Sequence, residues 1–401
     1  KIKEGIKTLK KYNANVTSNN VKSLKRMLCL TLVEGIITDF LSPFKDIMRI
    51  LLEDVLMTEI DLKICSQDPV VCQSKPKIIK KTPEELKNSI KNAIKFNPNP
   101  NQGGGGLIGE GSYGCVFKPA LGCDGRELSG LSSIRYVSKL MIDYKWKIDK
   151  EYMISQIIRR VPNYENSFGP LLDVCFVDVN KLNLSEDNKK CSLITQKKQE
   201  KYVSALSKIK YIDLYHFDEI ISTYTPNQNL IYFINVYQKL LESISILIKN
   251  KIVHYDLHSG NIVFDKEKKQ PIIIDFGMAF KINKMSKIHK IFFKDALNWT
   301  AWPLEAHYIG FILNLKRKLT DKEIVKIVNE FVSKHKIFKL QKGKISIKKI
   351  QLFKENGLKY LRMLNKLSVY KAVKTVILTC WKTWDNYSIS ILYLKYMFYL
   401  K

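Results

Sequence analysis

The sequence is poor in acidic residues, in regularly spaced cysteines and in long apolar runs, and each shortage removes a class of protein. No uncharged apolar stretch reaches 18 residues and no signal-peptide pattern opens the chain, so no membrane span is expected. Eight cysteines stand at 29, 65, 72, 115, 123, 175, 191 and 380, and none forms a Cys-x-x-Cys pair or a spacing suited to zinc. Cys65 and Cys72 flank a proline-containing loop and could bridge, but reduced thiols and a cytosolic setting are the expectation. Histidines are scarce too; His216, His289, His307 and His335 form no ligand constellation and read as structural. No internal repeat is visible. The first residue is Lys1 rather than Met, so the sequence is expected to begin inside a longer product or after processing.

What remains is an ordinary globular composition, with 45% apolar and 26% charged residues over 401 positions. Against 38 acids stand 67 Lys and Arg, a formal charge of +29. That excess favours acidic partners: nucleotide phosphates, nucleic acid, anionic lipid or an acidic protein. The lysines are spread evenly, however, and accompany heavy use of Ile and Asn, as an AT-rich genome would encode. Much of the charge therefore reflects codon usage.

The pattern along the chain changes twice. Residues 1–66 read as a helical extension, with apolar side chains at three- and four-residue spacing from Val21 to Ile64. Residues 67–106 carry five prolines, end in Gly103 to Gly106, and read as a linker with one short helix near Thr82-Pro83-Glu84-Glu85. Residues 107–196 read as β-rich, with strands at 114–118, 134–142, 171–179 and 191–195 and a helix at 150–161 stopped by Pro162. Beyond Leu206 helices dominate, the clearest running from Leu230 to Asn250.

Three motifs carry chemistry. The run Ile108-Gly109-Glu110-Gly111-Ser112-Tyr113-Gly114-Cys115-Val116 lies between strands. Gly109, Gly111 and Gly114 let a hairpin approach phosphates closely, backbone N–H groups such as that of Ser112 can face the oxygens, and Ile108 and Val116 would cover a purine. A lone G-x-G-x-x-G is weak; the absence of a helix directly after it disfavours a dinucleotide-binding turn. Next comes Val137-Ser138-Lys139 on the third strand, where the lysine can reach α- and β-phosphates if a carboxylate holds it, and Val137 adds to the nucleotide lining. Glu151, on the helical face shared with Ile154 and Ile158, is the expected partner; Glu165, beyond Pro162, is the weaker candidate. The third is His254-Tyr255-Asp256-Leu257-His258-Ser259-Gly260-Asn261, followed by Ile262-Val263-Phe264, with Asp275-Phe276-Gly277 beginning 14 residues after Asn261. Asp256 would orient or accept the proton of an acceptor hydroxyl, Asn261 and Asp275 would hold magnesium, and Val263 would line the nucleotide.

The ordered set resembles eukaryotic-type serine/threonine protein kinases. Its wording is most similar to the divergent kinases of large nucleocytoplasmic DNA viruses, in His254 to Asn261, in Trp302-Pro303-Leu304-Glu305 and in Trp381-Lys382-Thr383-Trp384-Asp385-Asn386-Tyr387. The resemblance covers about half the chain, roughly 107–305 and 381–401. It implies an α+β, bilobal protein-kinase-like fold: a β-rich small lobe at 107–196 and a helical large lobe at 197–401, with an insertion at about 306–380 and a shortened C-terminus. It further implies a viral serine/threonine kinase transferring the γ-phosphate of ATP, with magnesium, to a protein hydroxyl. Viral structural proteins become candidate partners, and host cytoplasm or the virion the expected location. Glu305 would anchor the end of the activation segment, and Asp385 would brace the catalytic loop from a buried helix.

Two departures from the family pattern matter. Tyr255 stands where an Arg usually reads an activation-loop phosphate, which implies activity independent of such a phosphate. His258 stands where a Lys steadies the transferring phosphate, a wording also found in small-molecule and atypical kinases. A small-molecule or lipid acceptor and a virion scaffold with a kinase fold therefore stay open as alternatives. Ser286 and Thr300 read as ordinary polar loop residues. The basic residues around 334–336 and 342–344 read as a solvated charged face, with nucleic acid or a viral partner as the alternative.

Overall fold

The computed structural model describes residues 106–111, 114–195, 201–217, 219, 226–282, 299, 301–335, 338 and 347–399. The helical extension and the linker up to 105, together with Ser112, Ser286, Thr300 and 342–344, lie outside these residues. The chain divides into two compact units. One comprises 106–215 and Val263–Phe280 among the described residues; the other comprises the described parts of His216–Ile262 and Lys281–Lys401.

The first unit is built on a five-stranded sheet of order β1–β2–β3–β6–β5. Its strands are β1 (Gly106–Gly111), β2 (Gly114–Lys118), β3 (Tyr136–Tyr144), β5 (Leu171–Val177) and β6 (Tyr202–Lys210). Side chains alternate across a pleated strand, so each strand sends residues to both faces. On one face Cys115, Phe117, Leu140 and Leu206 pack with Leu121, Val179, Leu184 and Cys191. On the other, Met141 and Ala205 pack with Leu171 and with Ile148 of helix α2 (Lys145–Ile158). A short helix α1 (Leu131–Arg135) precedes β3. Fully burying one large aliphatic or aromatic side chain stabilises by roughly 1.5–3 kcal/mol, against roughly 0–1 kcal/mol for an exposed ion pair. These two cores, not the surface charges, hold the sheet.

Four details differ from the sequence reading. Helix α2 begins at Lys145 rather than 150 and ends at 158. Its first turn gains the i,i+4 pairs Lys145–Asp149 and Lys147–Asp143, both at 2.8 Å, which an apolar periodicity does not register. Residues 191–195 form a single helical turn, α3 (Ser192–Thr195), not a strand. Strand β6 lies beyond 196, where the small lobe was expected to end, yet it sits between β3 and β5. Finally, the thiols read as reduced are paired: Cys115–Cys191 and Cys123–Cys175 are disulfides, separated by 76 and 52 residues. Sheet register brings these cysteines together, and linear spacing carries no trace of it. The cytosolic setting inferred from free thiols loses that support. Cys380 is free and buried.

A second sheet in this region has the order β4–β10–β9–β7, from β4 (Phe168–Gly169), β7 (Leu214–His216), β9 (Ile262–Asp265) and β10 (Gln270–Ile274). Strand β10 runs parallel to β4, with Ile273 opposite Phe168.

The second unit is helical. It holds α4 (Pro226–Lys249), α5 (Leu304–Leu315), α6 (Asp321–Lys334), α7 (Ile347–Asn365) and α8 (Val369–Tyr399), with a short strand β8 (Ile252–Val253) after α4. Helix α8 packs against α4 and α5, and α6 against α7. Thr320 caps α6 in a reciprocal box with Glu323. The segment read as an insertion is continuous with this packing: α8 already begins at Val369, and the helix read as starting near 385 is its second half. Among the described residues no helix is long and apolar enough to cross a membrane. A strand-rich region followed by a helical one is the α+β class expected from the sequence.

Candidate active site

The first cluster of candidate residues lies in the sheet unit. Strands β1 and β2 form a hairpin in which Gly111 pairs with Gly114 and Gly109 with Val116. Val116 in turn pairs with Lys139 on β3, which places both side chains and that of Val137 on one face. Gly114 cannot be replaced cheaply, because an added Cβ would lie 2.8 Å from Leu140 O and 2.9 Å from Lys139 Cε. The lysine stem thus runs directly beneath the end of the glycine hairpin.

Lys139 Nζ donates to Asp275 Oδ2 at 3.0 Å. Asp275 follows β10 with φ 60°, a left-handed conformation that Asp tolerates better than most residues, and its Oδ1 accepts from Gly277 N at 3.3 Å. Burial alone would lower the Lys139 pKa, but the Asp275 and Glu151 carboxylates outweigh it and hold the ammonium above its ordinary value. Glu151 is buried on α2, and burial pushes its carboxyl up to about 7 against the attraction of Lys139. Asp275 makes the direct pair with Lys139, while Glu151 forms no direct ion pair with it and is raised chiefly by its own burial. Beside it, Lys150 Nζ donates to Gly277 O at 2.7 Å, tying α2 to the turn after Asp275. Glu165, the weaker candidate partner, instead lies 3.7 Å from Lys210 at the surface.

The second cluster lies in the helical unit. Strand β8 leads into a loop whose backbone is gripped by Asp385 of α8: Oδ2 accepts from His254 N at 2.7 Å and Oδ1 from Tyr255 N at 2.8 Å. Tyr255, with φ 67°, is buried, stacks on Trp302 with ring centroids 4.7 Å apart, and has its carbonyl bonded by Trp302 Nε1 at 2.7 Å. The position where a phosphate-reading Arg was missing is therefore filled by an aromatic stack. Asn261 Nδ2 donates to Asp256 O at 2.9 Å, which commits the amide nitrogen and leaves the oxygen end as the cation-binding end. His258 Nδ1 accepts from Gly260 N at 3.1 Å, so a neutral imidazole carries its proton on Nε2, 4.0 Å from Asp256 Oδ2.

Burial sets the acids of this unit. Asp385 is pushed up to about 6 by burial, against its two backbone hydrogen bonds. Glu305 is pushed up to about 7 by burial. His307 and His335 are held down at about 4 and about 3 by burial, which suits the structural role read for them.

Within the sheet unit the fold brings together the hairpin glycines, Val116, Val137, Lys139, Glu151 and Asp275; within the helical unit it brings together Asp256 and Asn261. Ile108 is half exposed, and Val263 is buried in β9. Ser112 lies outside the described residues. Lys150 was missed by sequence reasoning because a lysine beside a glutamate on a helix reads as a solvated pair. Magnesium calls for hard oxygen ligands. Asp275 supplies a carboxylate already satisfied by a cation, the Lys139 ammonium, and Asn261 presents an amide oxygen. Both are donors of the right chemistry, although among the described residues no group of three His, Cys, Asp or Glu side chains forms a metal cluster.

The sequence profile of the ABC1 atypical kinase-like domain matches residues 221–296, a stretch that contains Asp256, Asn261 and Asp275. Among solved structures, the chain is similar to the autoinhibited serine kinase domain of the giant muscle protein titin. That alignment has a TM-score of 0.34 and 14% identity, over 69% of this chain and 78% of that one. No curated protein matches. The matched profile, together with the sheet-then-helix architecture, makes the chain kinase-like.

Proposed function

We propose that the chain is an ATP- and magnesium-dependent phosphotransferase acting on serine or threonine hydroxyls of proteins. The observation that carries this reading is the Lys139–Asp275 pair at 3.0 Å, which joins a lysine under the glycine hairpin to an acid 136 residues away. In such a reaction most catalysis is positioning and charge stabilisation. Lys139 would hold the nucleotide phosphates, with Glu151 and Lys150 keeping α2 and the turn after Asp275 in place. Val116 and Val137 would line the base. Asp256 would take or orient the acceptor hydroxyl proton on a loop kept rigid by Asp385. Asn261 and Asp275 would hold magnesium, which when bound offsets phosphate charge. Tyr255 supports activity without an activation-loop phosphate.

The test is transfer of radiolabel from ATP with magnesium to a protein substrate such as casein. Asp256→Asn should lower transfer at least about a hundredfold while nucleotide binding persists, since a positioned general base is worth about 10²–10⁴. Lys139→Met and Asp275→Ala should weaken both. Transfer that survives Asp256→Asn would remove the assignment.

A second reading, a small-molecule acceptor, is favoured by His258 and by the profile match over 221–296. A metabolite panel run beside the protein substrate separates the two. A large DNA virus as source, with viral structural proteins as partners and packaging in the virion, rests on the motif wording; copy number in purified particles tests it and the scaffold alternative together.

A further inference from the structure

A glycine-rich hairpin lacks side chains to hold it at 109, 111 and 114, and glycine loses more conformational freedom on ordering than any other residue. Something else must limit its motion if it is to meet phosphates without a large ordering cost. In this protein the hairpin is anchored at three levels to one short stretch, 187–195, which contributes no strand to the sheet. At the root, Gly106 lies so close to Asp187 that an added Cβ would stand 3.1 Å from Asp187 Cβ. In the middle, the Glu110 carboxylate, between Gly109 and Gly111, accepts from Ser192 N at 3.2 Å and from the Ser192 hydroxyl. On the second strand, Cys115, directly after Gly114, is bonded to Cys191. Leu193 and Ile194 pack on the same apolar cluster as Leu107.

We propose that residues 187–195 form a positioning clasp that pre-orders the glycine hairpin for the phosphates of a nucleotide, with the Cys115–Cys191 bridge as its covalent part and Glu110–Ser192 as its polar part. The inference rests on the nucleotide reading of the hairpin. It goes beyond that reading by assigning affinity to residues that touch no nucleotide. The second disulfide supplies a built-in contrast: Cys123–Cys175 ties the loop after β2 to β5, in the same unit but away from the glycines.

The experiment compares the full chain with Ser192→Ala, the double variant Cys115→Ser/Cys191→Ser, and the control Cys123→Ser/Cys175→Ser. Magnesium-ATP affinity, KM and kcat are measured, together with hydrogen exchange of hairpin amides in the absence of nucleotide. Ser192→Ala should raise KM and Kd about two- to fivefold, as expected for loss of one modest hydrogen-bonded contact, with kcat within twofold. Loss of the 115–191 bridge should raise them about five- to tenfold and speed hairpin exchange by a similar factor. The control should lower the melting temperature yet leave nucleotide affinity within twofold. Equal affinity losses in both bridge variants would overturn the clasp, because general loosening of the sheet would then explain them. So would unchanged hairpin exchange in Ser192→Ala, a surface substitution that keeps the test decisive if a bridge variant fails to fold. A wild type that binds no magnesium-ATP would instead sink the functional reading, and with it the clasp's purpose, whatever the exchange data show.

Discussion

The two candidate clusters hold acidic groups in place by opposite means. In the sheet unit charge is balanced by charge: Lys139 pairs with Asp275, Glu151 faces Lys139, and Lys150 bonds the turn after Asp275. In the helical unit Asp385 and Glu305 are buried, and no ion pair among the described residues involves either. Asp385 is satisfied by two backbone N–H groups and sits on a helix beside Trp384, with Tyr255 stacked on Trp302 and tilted against Trp384. Charge networks can exchange partners when a phosphate or a cation arrives. A carboxylate that braces backbone amides inside an aromatic cage cannot move without breaking the cage. The first arrangement suits groups that change partners during turnover, and the second suits a loop that must stay still.

Substitutions can break or sharpen this contrast. The largest effect is expected for Trp302→Ala, which removes the stack on Tyr255 and orphans its carbonyl. A loss of about 3–5 kcal/mol should appear in denaturant unfolding, and a loss below 1 kcal/mol would show that the cage is not what holds the loop. Asp385→Ala should cost about 2–4 kcal/mol by leaving two buried N–H groups unpaired, and should abolish transfer even where the protein stays folded at 20 °C.

Glu305→Gln tests the burial argument through pH. The Glu305 carboxyl sits at about 7 in the folded protein against an ordinary value near 4.5. Its contribution to stability is therefore complete below pH 4.5 and lost as pH rises through 7. Relative to wild type, the Gln variant should gain roughly 3 kcal/mol on going from pH 4 to pH 8, less any hydrogen-bond loss. Taking the difference between the two proteins removes the contributions of Asp385, His307 and His335, which titrate in both. A pH-independent difference would place Glu305 in contact with water or a cation. The smallest effect belongs to the network: Lys150→Met should cost about 1–2 kcal/mol, visible as faster exchange in α2, because neighbouring charges can redistribute.

Much of this was legible in the linear chain wherever the signal is local. The glycine hairpin, the strands read at 114–118 and 134–142, the second of which starts at Tyr136 because 134–135 close helix α1, the Asp256–Asn261 loop and Asp275-Phe276-Gly277 are short patterns that depend on neighbours in sequence. Strand β6 was not legible, since Tyr202–Lys210 carries two serines that the sheet buries: Ser204 and Ser207 are 4% and 1% exposed. A buried serine on a central strand looks like a loop residue until its cross-strand partners are known. The start of α8 was hidden for a similar reason, because Lys371, Lys374 and Lys382 face solvent along a helix whose other side is core.

By itself the sequence determined the kinase-like character of the chain, the order of the motifs and the choice of Lys139, Asp256, Asn261 and Asp275 as candidates, because these depend on residue type and short spacing. Only the tertiary structure decided which acid Lys139 touches, that Lys150 reaches Gly277, that Tyr255 stacks on Trp302, and that four cysteines pair. Each of those is a contact between residues 47 to 136 positions apart. Such contacts are set by strand register and helix packing, which no local pattern encodes.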